Sequence, residues 1–220
     1  SMIYVAQHAP LGHEGGTVGN EDVLLDMLSG RKVEFLSGHN HVNHNSVVTE
    51  DVFSHNIAAI CGAWWDTEHC IDGSPRGYKV FAKSGDSLSW YYKPVAFGKE
   101  HIAELIPYGS VEEYPDAVIV NVWDWDPCWK VEWYEDGVYK GPMTQISISS
   151  PVYIAEIQQF YGSIGKPVPN WKRPRPSMHN FAAHPSPEAK QVTVVVQTRF
   201  GQKWQQTVWM TSGNGNRSSN

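Results

Sequence analysis

The spacing of apolar and polar positions divides the chain into two regimes. Near the N-terminus, residues 3–7 (Ile3-Tyr4-Val5-Ala6-Gln7) read as a short buried strand, and the glycine-rich stretch 12–19 reads as a loop. Asn20 then stands as an N-cap before Glu21-Asp22, whose charges suit a helix N-terminus. Val23, Leu24, Met27 and Leu28 form an apolar stripe at helical spacing, and Gly30 closes the helix. Val33 to Leu36 is the next strand. Strand–helix–strand implies a parallel pair with a crossover. Parallel sheets have several strands and covered faces, so one such unit is too small to stand alone. The sheet is expected to continue through 56–62 and 78–83, with 87–93 returning as a hairpin through Ser84-Gly85-Asp86.

Composition shifts near residues 94–100. Beyond that point the period is mostly two. Strands are expected at 117–122 and 130–134 around a Trp-Asp-Trp-Asp-Pro turn, and at 192–198 and 204–210 around Arg199 to Lys203. One helix interrupts them: Ser150 caps it, Pro151 fits its first position, and Ile154, Ile157, Phe160 and Tyr161 line one face. Residues 163–177 read as a proline-rich loop and 211–220 as a polar tail. The fold class is α/β plus all-β: an α/β portion over residues 1–96, then a β-sandwich over 97–220.

The segment Phe35-Leu36-Ser37-Gly38-His39-Asn40-His41 carries the candidate chemistry. An apolar strand runs into a Gly-His-x-His turn, and neutral imidazole is the commonest side-chain metal ligand. The first strand also ends in a histidine, His8. Ligands delivered by successive strands to one sheet edge are where open α/β sheets place their sites. His44 follows in the same loop.

These residues resemble the calcineurin-like metallophosphoesterases, in which a histidine after one late strand and a Gly-His-x-His after the next complete a two-metal centre. A narrower similarity lies in Cys61-Gly62-Ala63-Trp64-Trp65, Asp72-Gly73-Ser74-Pro75-Arg76-Gly77-Tyr78 and Leu88 to Lys93. These look like a bacterial, Bacteroides-type branch with an added C-terminal β-sandwich domain. The resemblance implies that residues 1–96 are the C-terminal part of a metallophosphoesterase α/β sandwich. It implies metal ligation by His8, His39 and His41, with His8 and His39 sharing one ion and His41 holding its neighbour. His44, Trp64, Trp65 and Asp72 are implied substrate-side residues; a turn at Asp72-Gly73-Ser74-Pro75 and an interface role for the two indoles are the structural alternative. The intact enzyme would use two divalent ions (Mn, Fe, Zn or Mg) on a small-molecule, lipid or sugar phosphoester, and the family suggests a periplasmic or exported protein. The family's Asp-x-His, Gly-Asp-x-x-Asp and Gly-Asn-His motifs do not precede His8. The chain is therefore expected to be an incomplete fragment of that enzyme, inactive alone, whose three imidazoles can still hold one adventitious Zn²⁺ or Ni²⁺.

Charge and composition narrow the alternatives. The net charge is −6, which disfavours a nucleic-acid partner needing a basic footprint. Lys172-Arg173-Pro174-Arg175 is the one compact basic run and reads as a solvated loop. No run of 18 apolar residues occurs, so no membrane span is expected. Three cysteines, Cys61, Cys70 and Cys128, fit no paired zinc pattern and read as reduced, buried thiols, with a Cys61–Cys70 bridge as the alternative. The 10 Trp residues keep a second function open: Trp123, Trp125, Trp129 and Trp133 on a β-sandwich could bind glycan or peptide without catalysis. Exposed indoles would favour that reading, and buried ones a docking role.

Overall fold

The computed structural model describes residues 2–11, 19–85 and 87–210. The expected 12–19 loop lies almost wholly outside these residues, and the 211–220 tail entirely so. Strands β1 (Ile3–Ala6) and β2 (Val33–Ser37) are parallel and joined through helix α1 (Glu21–Leu28). Strands β3 (His44–Val47) and β4 (Val52–Asn56) complete a four-stranded sheet in the order β1-β2-β4-β3. The continuation of this sheet differs from expectation. Residues 57–59 have no regular structure and 60–62 form a turn rather than a strand, and β5 (Gly77–Ser84) pairs with β6 (Ser87–Pro94) in a separate hairpin.

The face that α1 buries also differs. Leu28 is buried, and Leu24 and Leu25 pack beside Phe35, Val33 and Val52, whereas Val23 and Met27 are exposed. Asn20 occupies the N-cap position with a left-handed backbone and no side-chain capping bond.

Beyond the hairpin come β7 (Ala103–Ile106), β8 (Val118–Val122), β9 (Lys130–Glu135), β10 (Val138–Pro142), β11 (Thr144–Ile148), β12 (Ser177–Ala183), β13 (Gln191–Gln197) and β14 (Lys203–Trp209). They form two antiparallel sheets, β10-β9-β13-β14 and β11-β12-β8-β7. Val118, Val120 and Val122 of one sheet and Val131, Val192, Val194 and Val196 of the other belong to a single core. Alternation along β13 puts its three valines on the buried face. β8 is buried on both faces, because Ile119 enters a second cluster with Ile106, Ile146 and Ala182. Helix α2 (Pro151–Ser163) begins where expected: the Ser150 hydroxyl accepts from the Tyr153 N–H at 3.3 Å. Its buried face, Tyr153, Ile157 and Tyr161, packs on Ala63 and Ile71.

The Lys172 run is not a solvated loop throughout. Lys172 is buried, its ammonium bonds to Asp66, and its carbonyl accepts from the Tyr153 hydroxyl at 2.6 Å. The three cysteines are free; Cys70 is buried, Cys61 half-buried and Cys128 exposed.

A polar seam joins the first sheet to the sheet pair. Lys79 and Asp124 form an ion pair at 2.8 Å with both side chains almost wholly buried. The Asn45 amide donates to the Asp124 carboxylate and carbonyl, each at 2.9 Å, and its oxygen accepts from Lys79 at 2.7 Å. That same oxygen faces His55 Nδ1 at 2.9 Å, so His55 carries its proton on Nδ1. Nε2 then presents a lone pair to Glu34 Oε2 at 3.0 Å, and the contact is a hydrogen bond only if Glu34 is protonated. Burial raises the Glu34 pKa to about 7, against the opposing charges of Arg199 and Lys79. Burial also drives the His55 pKa down, reinforced by Lys79 and Arg199.

The two shifts act oppositely on stability. A raised Glu34 contributes stability fully present below its unfolded value of 4.5 and lost as pH rises through about 7. A lowered His55 contributes stability present above 6.5 and lost as pH falls. Glu34→Gln isolates the first, since a neutral amide can donate to His55 at any pH. We predict that this variant matches the parent near pH 4 and exceeds it by about 2–3 kcal/mol at pH 8. Urea unfolding at both values checks this; a stability difference independent of pH would exclude the protonated Glu34.

Candidate functional site

β1 and β2 are adjacent and parallel, so the residues after them emerge at one sheet edge. The Gly38 N–H donates to the His8 carbonyl at 3.1 Å, which ties the two strand ends together. His39 Nδ1 then lies 2.9 Å from His8 Nε2. Two nitrogens on one tetrahedral ion, each about 2.0–2.1 Å from it, would be about 3.3–3.4 Å apart. As it stands one of the two nitrogens donates to the other, so an ion shared by the pair would replace that hydrogen bond and its proton.

His41 is positioned differently. Its Nδ1 lies 2.6 Å from the Gly62 carbonyl oxygen, and its ring stacks on Trp64 with centroids 3.9 Å apart. A carbonyl partner at Nδ1 fixes the proton there and leaves Nε2 as the ligating atom, the arrangement seen in metal-bound histidines. Burial pushes its pKa down, against the Gly62 bond that favours the cation; neutral imidazole is the ligating form. The Lys172 ammonium also lies over the Trp64 ring, 5.6 Å from its centroid. Among the described residues no group of three His, Cys, Asp or Glu side chains is arranged to hold a metal ion. The structure brings His8 and His39 together and places His41 apart from them, against Gly62 and Trp64.

Backbone strain concentrates at the same place. Among the described residues six other than glycine have positive φ, and four of them are His39, His41, Trp64 and Trp65. The other two, Asn20 and Asp136, are residue types that tolerate this region in turns. A left-handed conformation costs a side-chain-bearing residue about 1–2 kcal/mol. Strain of this kind persists where surroundings over-determine it and clusters at functional sites.

The remaining candidates divide. Trp65 is exposed. Asp72 is buried and accepts from the Asn43 N–H at 2.7 Å, His179 Nε2 at 3.1 Å and the Ser74 hydroxyl at 2.8 Å. Burial would raise its pKa, but the His179 bond and charge bring it below the ordinary value. Gly73, at φ +85°, allows the turn after it, since a Cβ there would lie 2.2 Å from that of Ser150. Asp72 and His44 both line a cleft of about 240 Å³ that begins at Asn40, inside the histidine turn. The sequence reading missed Asn43, Asn56, Arg175 and His179 of this cleft; they come from three separate stretches, around 43, around 56 and over 175–179, which no local pattern unites.

Trp123 and Trp129 are buried, while Trp125 and Trp133 pack against the sheet-pair core. The four indoles form no exposed binding platform. Among the described residues no helix is long and apolar enough to cross a membrane.

With β-rich sheets, two α-helices and this edge in view, comparison with known families is decisive on lineage. The chain belongs to the family MetallophosC, described as the C terminal of calcineurin-like phosphoesterase, whose model matches residues 54–204. The matched segment includes Trp64, Trp65, Asp72, Arg175 and His179 and leaves His8, His39 and His41 on its N-terminal side. It also spans residue 96. No curated protein and no solved structure matches the chain.

Replacing Trp65 by glycine separates strain from packing. The exposed indole contributes little burial, and glycine adopts φ 70° without a Cβ clash. Trp65→Gly is expected to leave the melting temperature unchanged or raise it by a few degrees, roughly 0.5–1 kcal/mol. A loss above about 2 kcal/mol in calorimetry would mean that the indole packs rather than waits for a ligand.

Proposed function

We propose that this chain supplies the histidine part of the centre of a metal-dependent phosphoester hydrolase. The observation that carries the reading is the approach of His8 Nε2 and His39 Nδ1 to 2.9 Å at the ends of two adjacent parallel strands. Membership in the calcineurin-like phosphoesterase lineage supports it. In this reading His8 and His39 share one divalent ion, and His41, held by Gly62 and Trp64, serves a second. The ions would supply charge for the phosphoryl oxygens and an activated water. The anionic ligands that offset two neighbouring dications come from another part of the intact enzyme. Residues 1–96 then belong with its catalytic α/β region, and 97–220 form an appended β-sandwich that docks through the buried seam.

The chain's own residues orient and enclose. The Gly62 carbonyl sets the His41 tautomer. The cleft beyond Asn40, lined by His44 and Asp72, provides the substrate side, and Trp65 borders a separate hollow beside α2.

Two measurements test the reading. Co²⁺ titration of the chelator-stripped chain should give one saturable site by visible absorption, lost or weakened about 10–100-fold in His39→Ala and in His8→Ala. Losing only an outer-shell partner of a ligand typically costs about 10–100-fold in metal affinity, so losing a ligand should cost at least as much. Absence of any His-dependent uptake would refute the shared site. Turnover of p-nitrophenyl phosphate by this chain with Mn²⁺ or Zn²⁺ should stay near background, because three neutral imidazoles give no anionic bridge. Robust turnover abolished by His39→Ala would show instead that the chain holds a complete centre.

A further inference from the structure

His41 lies in the bend after β2, outside any helix or strand, with φ 54°. Its aim is therefore imposed by what surrounds it. Part of that surrounding is the Gly62 carbonyl at Nδ1 and the Trp64 ring, whose plane is only 16° from that of the imidazole. Trp64 itself has φ 57°, a conformation that persists only where neighbours over-determine it. Whatever fixes the indole fixes His41 as well.

One such group comes from the far part of the chain. Lys172, at the end of the short 3-10 turn Asn170–Lys172, places its ammonium 5.6 Å from the Trp64 ring centroid and 5.7 Å from that of Tyr161. At such distances a cation is attracted by the electron-rich face of an aromatic ring. The ammonium is itself fixed. It is paired with Asp66, whose carboxylate also accepts from the Tyr161 hydroxyl at 3.0 Å, and both side chains of the pair are largely out of water. The attraction therefore holds the indole to a stationary charge. The backbone of the same run reaches His41 by a second route: the Arg175 N–H donates to the Ile71 carbonyl at 3.1 Å, and the Ile71 N–H donates to the His41 carbonyl at 3.3 Å. Burying an ammonium is a costly way to fill space, and an apolar side chain would pack against the two rings without desolvating a charge. What the charge adds is direction.

We propose that Lys172 is a positioning residue for His41: by holding the Trp64 indole parallel to the imidazole, it sets the direction of the ligating Nε2. A residue from the far part of the chain thus serves a histidine near its start. The inference rests on the phosphoesterase reading for the use made of Nε2. The coupling of Lys172 to the His41 ring stands on the contacts alone.

Histidine ring protons of the full chain, followed by NMR, report the stack directly, because a proton above an indole face is displaced upfield. The His41 signals are those that vanish in His41→Gln. Lys172→Met combined with Asp66→Asn removes both charges together, so neither is stranded. If Lys172 only stabilised the fold, this double change would lower the melting temperature and leave the His41 signals in place. The expected result is loss of their upfield displacement. Lys172→Arg, which keeps the charge and stacks on aromatic faces, should retain it. Asp66→Asn alone, which keeps the ammonium but releases it, should give a smaller change in the same direction and decides the matter if the double variant does not fold. His41 signals unchanged in the folded variants overturn the proposal, as does a loss in Lys172→Arg equal to that in the double variant. Co²⁺ uptake, read separately, keeps the two readings apart. His39-dependent uptake with His41 signals indifferent to Lys172 sinks the positioning role alone. Lys172-dependent His41 signals without His39-dependent uptake sink the phosphoesterase reading alone.

Discussion

The ion pair between Lys79 and Asp124 is the interaction on which the rest of the arrangement depends. Both side chains are out of contact with water, so neither charge is tolerable without the other. Removing one partner of a buried pair typically costs about 3–5 kcal/mol, because the survivor is stranded. Asn45 bonds to both members and passes the constraint to His55 and Glu34. Three bodies therefore meet there: the hairpin through Lys79, the sheet pair through Asp124, and the first sheet through Asn45 and His55. An apolar interface could slide. This one has directional bonds and fixes a single orientation.

The histidine edge inherits that orientation. His41 is held by the Gly62 carbonyl, and the segment around Gly62 is itself pinned by α2 through Ala63 and Ile71. Helix α2 belongs in sequence to the region between the strands of the sheet pair, yet it braces the loop that presents Trp64. The strained conformations of His39, His41, Trp64 and Trp65 are sustained by this bracing from two sides.

Sequence pattern reached the parts of the fold governed by local rules. The Ser84–Ser87 hairpin, the alternation of Val192, Val194 and Val196, and the Ser150-Pro151 helix start all follow from turn chemistry, period two and capping. Strand β3 did not show itself, because His44-Asn45-Ser46-Val47 is polar: its buried position is taken by an asparagine that serves the seam. On α1, Leu25 takes a place on the packed face that the pattern gave to Val23. Lys172 looked solvated because its partners, Asp66 and the Trp64 ring, lie more than a hundred residues away. His8 and His39 could be paired on paper because parallel strands bring their ends together. The cleft could not, since Asn56, Asp72 and the 175–179 segment lie far apart in the chain.

The reach of the seam along the chain bears on how the molecule assembles. Asn43 and Asn45 bond to residues 80 and 79 positions away, whereas the hairpins β5–β6 and β9–β10 join immediate neighbours. Short loops close at small entropic cost, and contacts across long loops form only after that larger cost is met. The hairpins can organise early on local contacts, whereas β8–β12 and β9–β13 of the sheet pair also wait for distant partners. Docking of the first sheet, which carries His8, His39 and His41, must wait for Asn45 to find Asp124. His8 and His39 can meet as soon as β1 and β2 pair, while the hold of Gly62 on His41 belongs to the later closure of the fold.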